Sequence, residues 1–242
     1  MEVVKPAIAG RYVKMLVYGR PGVGKTVLGA SADEGSTGRV IIGDCEGGTM
    51  SLQDKYPDVD VVRIRNYATD CAELYNVLSG GKTPYKTVVL DSITELQKLS
   101  MQGIMSQIAQ TKPDRDPDMP TIGEWGKNIE QIRKLVRYFR DLPMNLILCA
   151  LEKEVKNEVT GEILIKPAIS GQLADEVAGF CDVVGRLITE KNPEQKDVLD
   201  RYLVVQPVGA FVAKDRSAKL GVAVRNPTFS GIYDTIFPTT KE

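Results

Sequence analysis

Residues 19–26 read GRPGVGKT and match the pattern G-x-x-x-x-G-K-[S/T]. Glycines in such a segment let backbone N–H groups turn toward phosphate oxygens, and the start of the following helix adds partial positive charge. Lys25 would contact the β- and γ-phosphates, and the Thr26 hydroxyl would bind Mg²⁺. An apolar run at 13–18 precedes the segment and a helical stretch follows it, as this motif requires. The pattern therefore predicts a nucleoside triphosphate site. Its expected contacts are Gly19, Arg20, Pro21, Gly22, Val23, Gly24, Lys25, Thr26 and Val27.

Two acidic residues follow other apolar runs. Asp91 ends the run KTVVLD, where it would hold Mg²⁺ through water, although an aspartate there could also simply cap the next helix. Glu46 follows the run IIGD, beside paired glycines. Hydrolysis needs a group that orients or deprotonates the attacking water, and the chain contains no histidine. We therefore expect Thr26 and Asp91 to bind the metal and Glu46 and Lys25 to be catalytic; for Glu46 the alternative is a solvated loop acid.

A pair of cations stands near the end of the chain. The segment FVAKDRSAKLG (211–221) places Lys214 and Arg216 one residue apart after an apolar run. With Asp215 between them, they could be ordinary salt-bridged surface charges. Alternatively, they could stabilise a phosphate charge, as an arginine finger does.

The overall composition is that of an ordinary globular protein. The 242 residues carry a net charge of −1 with 43% hydrophobic residues, so a nucleic-acid site would have to be a local patch. The four cysteines are far apart and show no CxxC spacing, which favours a reduced cytoplasmic protein over a disulfide scaffold or zinc site. No stretch approaches the ~20 apolar residues that span a bilayer, and the N-terminus lacks the long apolar core of a signal peptide. We therefore expect neither membrane association nor secretion.

The order of apolar runs predicts an α/β fold with a mostly parallel sheet. Five strands are expected before residue 151, and apolar residues at 3-4 spacing predict a helix over 122–141. The expected strands are 13–18, 39–44, 59–64, 86–91 and 144–150. After them we expect a hairpin at 154–166, a helix at 172–181 and strands near 182–188 and 201–206. This predicts a single domain over 1–242. Its parts are an N-terminal tail (1–11), a P-loop α/β core (12–150) and a hairpin with an antiparallel extension in the same sheet (151–242).

The motifs GRPGVGKT, GDCEGG and VVLDS, in this order, resemble the RecA-like ATPase core. Within that superfamily the chain looks most like compact phage-encoded ATPases, some of which assist single-strand annealing. The resemblance implies a RecA-like P-loop NTPase that uses ATP and Mg²⁺ and acts in phage recombination or replication, in the host cytoplasm and with other proteins of those processes. It also implies a homo-oligomer, ring or filament, with nucleotide at the subunit interface. Lys214 and Arg216 match a K-x-R element that reaches into the neighbouring subunit's site.

The resemblance also implies single-stranded DNA contacts from two loops, 111–121 and 153–170. Acidic residues offset the cations of both loops, and neither loop contains an aromatic residue for base stacking. The candidate DNA-binding residues are Lys112, Arg115, Lys153, Lys156 and Lys166. A further departure is Leu151, which stands where related proteins carry a polar γ-phosphate sensor, with Glu152 and Lys153 next to it.

These observations predict an Mg²⁺-dependent, oligomeric ATPase that acts with single-stranded DNA. The alternative is a nucleotide-gated assembly or partner-binding module with little turnover and no direct DNA contact. A small-metabolite kinase is a third possibility, although no arginine-rich lid is evident in the sequence.

Overall fold

The computed structural model describes residues 11–238 except 157, 159, 160 and 196. Within these residues, ten strands form one connected sheet. The strands are β1 (Lys14–Gly19), β2 (Val40–Asp44), β3 (Asp60–Arg63), β4 (Thr87–Asp91), β5 (Asn145–Lys156), β6 (Ile163–Pro167), β7 (Val183–Lys191), β8 (Leu199–Val204), β9 (Lys214–Asp215) and β10 (Ala223–Arg225). The helices are α1 (Lys25–Ala30), α2 (Tyr67–Ser79), α3 (Ile93–Thr111), α4 (Ile122–Asp141), α5 (Leu173–Phe180) and α6 (Phe229–Ile236).

The sheet is parallel in its centre and antiparallel at one side. Its order is β10-β8-β7-β1-β5-β4-β2-β3, and every neighbouring pair from β7 to β3 is parallel. The antiparallel pairs are β7–β8, β8–β10, β7–β9 and the hairpin β5–β6. The predicted α/β fold, a mostly parallel sheet flanked by helices with antiparallel strands in the second half of the chain, is therefore confirmed. One detail differs, because β7 lies in the expected antiparallel extension yet pairs in parallel with β1, and β5 runs through residue 150 without a break.

Helices cover both faces of the sheet because its central strands are apolar on both sides. On one face α1 and α6 pack through side chains such as Leu28 and Phe229. On the other face α2, α3, α4 and α5 bury residues such as Leu74, Ile132 and Val177. Alternate residues of the central strands β1 and β5 therefore enter different cores. This alternation fixes which side of the sheet each of their side chains reaches.

Polar caps determine where the long helices begin. The side chain of Ser92 accepts a 3.3 Å hydrogen bond from the backbone N–H of Glu95 at the start of α3. At the start of α4, Thr121 and Glu124 form a capping box, in which each side chain accepts a hydrogen bond from the other residue's backbone. Among the described residues, no helix is long and apolar enough to cross a membrane.

Candidate nucleotide-binding site

The P-loop, Asp91 and Glu46, which were singled out in the sequence, meet at one edge of the sheet. In parallel strands the carboxyl ends lie at the same edge, which is where open α/β sheets bind ligands. Asp44, at the end of β2, is in register with Asp91, at the end of β4. Gly19, at the end of β1, is in register with Leu151 of β5. The P-loop and both acidic loops therefore surround the same space.

The P-loop needs its glycines for two reasons. A Cβ atom on Gly19 would overlap the carbonyl oxygen of Leu187 in the neighbouring strand β7, and Gly22 and Gly24 have φ of 79° and 101°. The loop thus turns the chain from β1 into α1 in a conformation that side chains disfavour. Lys25, 7% exposed, donates hydrogen bonds from Nζ to the carbonyl oxygens of Gly19 (3.1 Å) and Arg20 (2.9 Å). Its ammonium group therefore lies inside the loop, where phosphates would bind.

Thr26 and Asp91 lie together as expected for metal ligands. The hydroxyl of Thr26 donates a 2.6 Å hydrogen bond to Oδ2 of Asp91. Burial raises the pKa of Asp91, and although the Thr26 hydrogen bond opposes this rise, the negative charges of Glu46 and Asp44 add to it. A cation at this position would relieve the repulsion among these carboxylates.

The donor set fits Mg²⁺, which prefers oxygen ligands. Asp44 lies beside Asp91 in register and is 4% exposed, and its Oδ2 has no hydrogen-bond partner among the described residues. Within the same residues, no group of three or more His, Cys, Asp or Glu side chains is placed to hold a metal ion alone. Mg²⁺ at Thr26 and Asp91 would therefore take its remaining ligands from water and nucleotide phosphates, as is usual for this ion.

Glu46 is exposed and held from two sides. Oε1 of Glu46 accepts a hydrogen bond from the Ser92 hydroxyl. Its backbone is fixed by Asp44, whose Oδ1 accepts from the N–H groups of Glu46 (3.0 Å), Gly47 (2.8 Å) and Gly48 (3.4 Å). The loop reaches the metal ligands, since a Cβ atom on Gly48 would lie 4.0 Å from Oγ1 of Thr26. Asp44 therefore holds the loop in place. This role was not predicted from the sequence, although an aspartate shortly before two glycines is a known signal for such a turn.

A carboxylate joins the P-loop to the neighbouring strands. Glu152 of β5 accepts hydrogen bonds from Nε of Arg20 (3.2 Å) and Nε of Arg186 in β7 (2.9 Å). Burial by itself would raise the pKa of Glu152, but the two arginines outweigh it and lower the pKa. Lys153 donates instead to the carbonyl oxygen of Ile169 (2.6 Å). Of the three residues considered for a sensor, Glu152 is the one whose side chain is shown to hydrogen-bond to the P-loop.

Lys214 and Arg216 lie at the opposite edge of the sheet from their own P-loop. Lys214 donates from Nζ to the carbonyl oxygen of Ala178 (2.6 Å), and Arg216 donates to the carbonyl oxygen of Gly179 and Oδ1 of Asp182 (2.9 Å each). The N–H of Asp182 bonds to the carbonyl of residue 14, at the start of β1. Five residues of strand, roughly 16 Å, separate that point from the P-loop. Both cations thus stabilise the carboxyl end of α5 in their own chain, and action on a neighbour stays a prediction.

Three of the five predicted DNA-binding cations have partners within the chain. Arg115 forms an ion pair with Glu124, and Lys166 lies 3.5 Å from Asp175. Lys153 bonds to a backbone carbonyl, as described above. Lys112 and Lys156 are exposed. The geometry therefore brings together the P-loop, the predicted metal ligands Thr26 and Asp91, and Glu46. It does not bring Lys214 and Arg216 to this site, and it gives no comparable grouping of the DNA candidates.

Comparisons with known proteins agree with this geometry at the family level. A family model described as an AAA domain matches residues 11–217. No curated protein matches the sequence.

Among solved structures, an ATPase from the type III secretion system of pathogenic bacteria is similar, with 14% identity and a TM-score of 0.48. The match covers 73% of this chain and 51% of that one, so the chain spans about half the length of that ATPase. The flagellar accessory protein FlaH from Methanocaldococcus jannaschii is 6% identical, with a TM-score of 0.41 and coverage of 84% and 79%. Because the family model covers most of the chain, this protein belongs to the AAA domain family and has its P-loop nucleotide-binding fold.

Proposed function

We propose that this protein is an Mg²⁺-dependent ATP hydrolase. The observation that carries the proposal is the placement of Thr26, Asp91 and Glu46 around the P-loop at one edge of the sheet. A glycine-rich turn that binds no nucleotide would require neither a buried aspartate hydrogen-bonded to Thr26 nor a second carboxylate, that of Glu46, nearby. Such an arrangement serves the hydrolysis of a phosphoanhydride.

Each residue would have a separate task. Lys25 would exchange its two carbonyl partners for the β- and γ-phosphates, and the backbone N–H groups at the start of α1 would bind the remaining phosphate oxygens. Thr26 and Asp91 would hold Mg²⁺, which supplies charge stabilisation to the transferring phosphoryl group. Glu46, at the rim and fixed by Ser92, would accept a hydrogen bond from the attacking water and orient it.

The substitution Glu46→Gln tests this assignment. It keeps the size of the side chain and a hydrogen-bonding oxygen but removes the basic carboxylate. We expect the rate of ATP hydrolysis to fall about 10²- to 10⁴-fold, the usual contribution of a general base, while the Kd for ATP stays within about threefold. Glu95→Gln, at the start of α3, is the matched control because Glu95 pairs with Lys98 on the helix surface. An unchanged hydrolysis rate in Glu46→Gln would contradict the role of Glu46.

The same experiment separates the alternative function, a nucleotide-gated module with little turnover. For such a module, the wild type would bind ATP tightly and hydrolyse it at the same low rate as Glu46→Gln. Removing Mg²⁺ with EDTA would then weaken ATP binding, but it would not change the rate of hydrolysis, which would already be low. We favour the hydrolase because the Glu46 carboxylate lies beside the metal ligands, where a binding module would have no use for it.

The finer part of the proposal is an oligomer that acts with single-stranded DNA in phage recombination or replication. Its support is the resemblance of the three motifs to RecA-like ATPases. Two exposed lysines in the predicted loops, Lys112 and Lys156, are available for phosphate contacts. Salt-dependent stimulation of hydrolysis by single-stranded DNA is the property that this part requires.

A further inference from the structure

An arginine from the C-terminal half of the chain lies against the P-loop. Nε of Arg201, in β8, donates a 3.1 Å hydrogen bond to the carbonyl oxygen of Val23. The guanidinium group is so close to the loop that a Cβ atom on Gly24 would lie 2.6 Å from Nε and 3.5 Å from Cζ. Glycine at position 24 is therefore required both for its φ of 101° and for the approach of Arg201. No local sequence pattern indicates this contact, because it joins residues 178 positions apart.

The backbone of Arg201 is held firmly in place. It pairs with Thr189 of β7, and β7 in turn pairs with the P-loop strand β1. On its other side, Asn226 accepts a 2.9 Å hydrogen bond from the N–H of Arg201 and donates its own N–H to the carbonyl of Arg201 at 2.6 Å. The amide group of Asn226 also bonds to the buried Asp200 at 3.0 Å. The β7–β8 hairpin thus presents Arg201 to the loop from a fixed position.

The charge of Arg201 is not neutralised by the described part of the chain. Other arginines of this region have carboxylate partners: Arg20 and Arg186 share Glu152, and Arg225 pairs with Asp200. Arg201 has no ion pair among the described residues, and its only side-chain hydrogen bond there is the one from Nε to Val23. The Nη1 and Nη2 groups are therefore available as donors beside a loop whose shape binds phosphate.

We propose that Arg201 is a phosphate-binding residue of this site. Nε keeps its bond to the Val23 carbonyl, while Nη1 and Nη2 donate to phosphate oxygens of the bound nucleotide in the forked geometry that arginine favours. Lys25 from inside the loop and Arg201 from outside it then supply two cations to the same anion. This inference rests on the proposed function, because it requires that the P-loop binds nucleotide.

Two substitutions at position 201 separate the charge from the contact with the loop. Arg201→Gln keeps a donor that can reach the Val23 carbonyl but removes the charge. Arg201→Lys keeps the charge but loses the two terminal NH₂ groups, Nη1 and Nη2, that can donate to two oxygens at once. Lys191→Gln is the matched control, since Lys191 is an exposed cation of the same hairpin that pairs with Leu199, two residues from Arg201. For each protein, the Kd values of ATP and of tripolyphosphate with Mg²⁺ are measured by isothermal titration calorimetry. The melting temperature is measured without ligand.

We expect Arg201→Gln to weaken both ligands by about 10- to 100-fold, as for the loss of a charged hydrogen bond. Arg201→Lys should lose less than Arg201→Gln, Lys191→Gln should match the wild type, and the melting temperature without ligand should stay unchanged. Unchanged affinity in Arg201→Gln would overturn the inference. A variant that loses affinity for ATP but not for tripolyphosphate would also overturn the inference, because Arg201 would then contact the ribose or the base. Equal losses in both variants with a lowered melting temperature would mean that Arg201 only supports the loop, and would also overturn it. If the wild type binds neither ligand, the proposed function itself fails.

Discussion

The hydroxyl of Ser92 donates a hydrogen bond to the carboxylate of Glu46, across 46 positions of sequence. Ser92 directly follows Asp91, the predicted metal ligand, and is fully buried, so it has little freedom to move. The exposed carboxylate of Glu46 is therefore positioned by a rigid group at the end of a different strand. This hydrogen bond links the loop after β2 to the residues that follow β4.

We predict that Ser92→Ala impairs hydrolysis more than nucleotide binding. Without the hydroxyl, the Glu46 carboxylate loses its fixed position, and misplacement of a catalytic group typically costs about 10- to 100-fold in rate. The fall should appear in kcat, with KM for ATP little changed. Loss of the cap of α3 should also lower the free energy of unfolding by about 1 kcal/mol.

Ser100→Ala is the control for this prediction. Ser100 is a buried serine of the same helix that bonds to Gln131 (2.6 Å) and Asn128 (2.9 Å), away from the phosphate site. Its loss should reduce stability with kcat unchanged. If the two variants lose kcat equally, the effect of Ser92 is one of stability, and the positioning role is wrong.

The sequence predicted which residues meet at the edge of the sheet that holds the P-loop, because these residues follow recognisable strands. Asp91 and Glu46 come directly after apolar runs, and the carboxyl ends of parallel strands meet. The contacts of Arg201 and Arg186 were not predictable in this way. They depend on the order β8-β7-β1, in which strands from the end of the chain lie beside the P-loop strand. Strand order is a property of the packed sheet, and no spacing of residues along the chain reports it.

The loop over 111–121 illustrates a second limit of sequence reasoning. Arg115 was predicted as a DNA contact because it is a cation in a loop that the family resemblance assigns to DNA. In the structure it pairs with Glu124 of the α4 capping box and donates to the carbonyl oxygen of Met119 (3.0 Å). Composition shows how many charges a loop carries, but the partner of each charge depends on how the loop folds back on the helix.

We predict that the Glu124–Arg115 pair makes stability depend on pH in the acid range. The hydrogen bond from Arg115, with that from the backbone of Thr121, lowers the pKa of Glu124 from 4.5 to about 2. The lowered pKa stabilises the folded state fully above about pH 4.5, and this contribution is lost as the pH falls toward 2. Glu124→Gln can still accept the capping hydrogen bond but lacks the charge. Its deficit in the free energy of unfolding should therefore be largest at pH 7 and shrink toward pH 2.

Urea unfolding followed by circular dichroism at pH 7, 4 and 3 measures this dependence. Glu73→Gln is the control because Glu73 is exposed on α2. It should follow the wild type at every pH. A deficit of Glu124→Gln that stays constant from pH 7 to pH 3 would show that the charge of Glu124 does not contribute to stability.

We predict that Lys25→Ala and Arg216→Ala subunits complement each other if Arg216 acts on a neighbouring subunit. Each variant alone should hydrolyse ATP at least about tenfold more slowly than the wild type, because each lacks a cation that stabilises the phosphate charge. In a mixed oligomer, some interfaces combine an intact Lys25 with an intact Arg216, so a fraction of the activity returns. The measurement is the hydrolysis rate across mixing ratios, with mixing verified by native mass spectrometry. An Arg216→Ala variant that is fully active alone would restrict Arg216 to capping α5.

Finally, we predict that single-stranded DNA stimulates ATP hydrolysis and that this stimulation weakens as the salt concentration rises. The exposed Lys112 and Lys156 would bind the phosphate backbone, and removing either lysine should lower the salt slope of log K by about 0.7. The double variant Lys112→Ala/Lys156→Ala should therefore have a slope lower by roughly 1.4, whereas Lys82→Ala/Lys191→Ala, with the same change of charge, should not. The single tryptophan, Trp125, lies near the first loop in α4, and its fluorescence provides a direct measure of binding. Steady hydrolysis that DNA does not affect, with unchanged tryptophan fluorescence, would leave the ATP hydrolase intact and exclude these two loops as its DNA contacts.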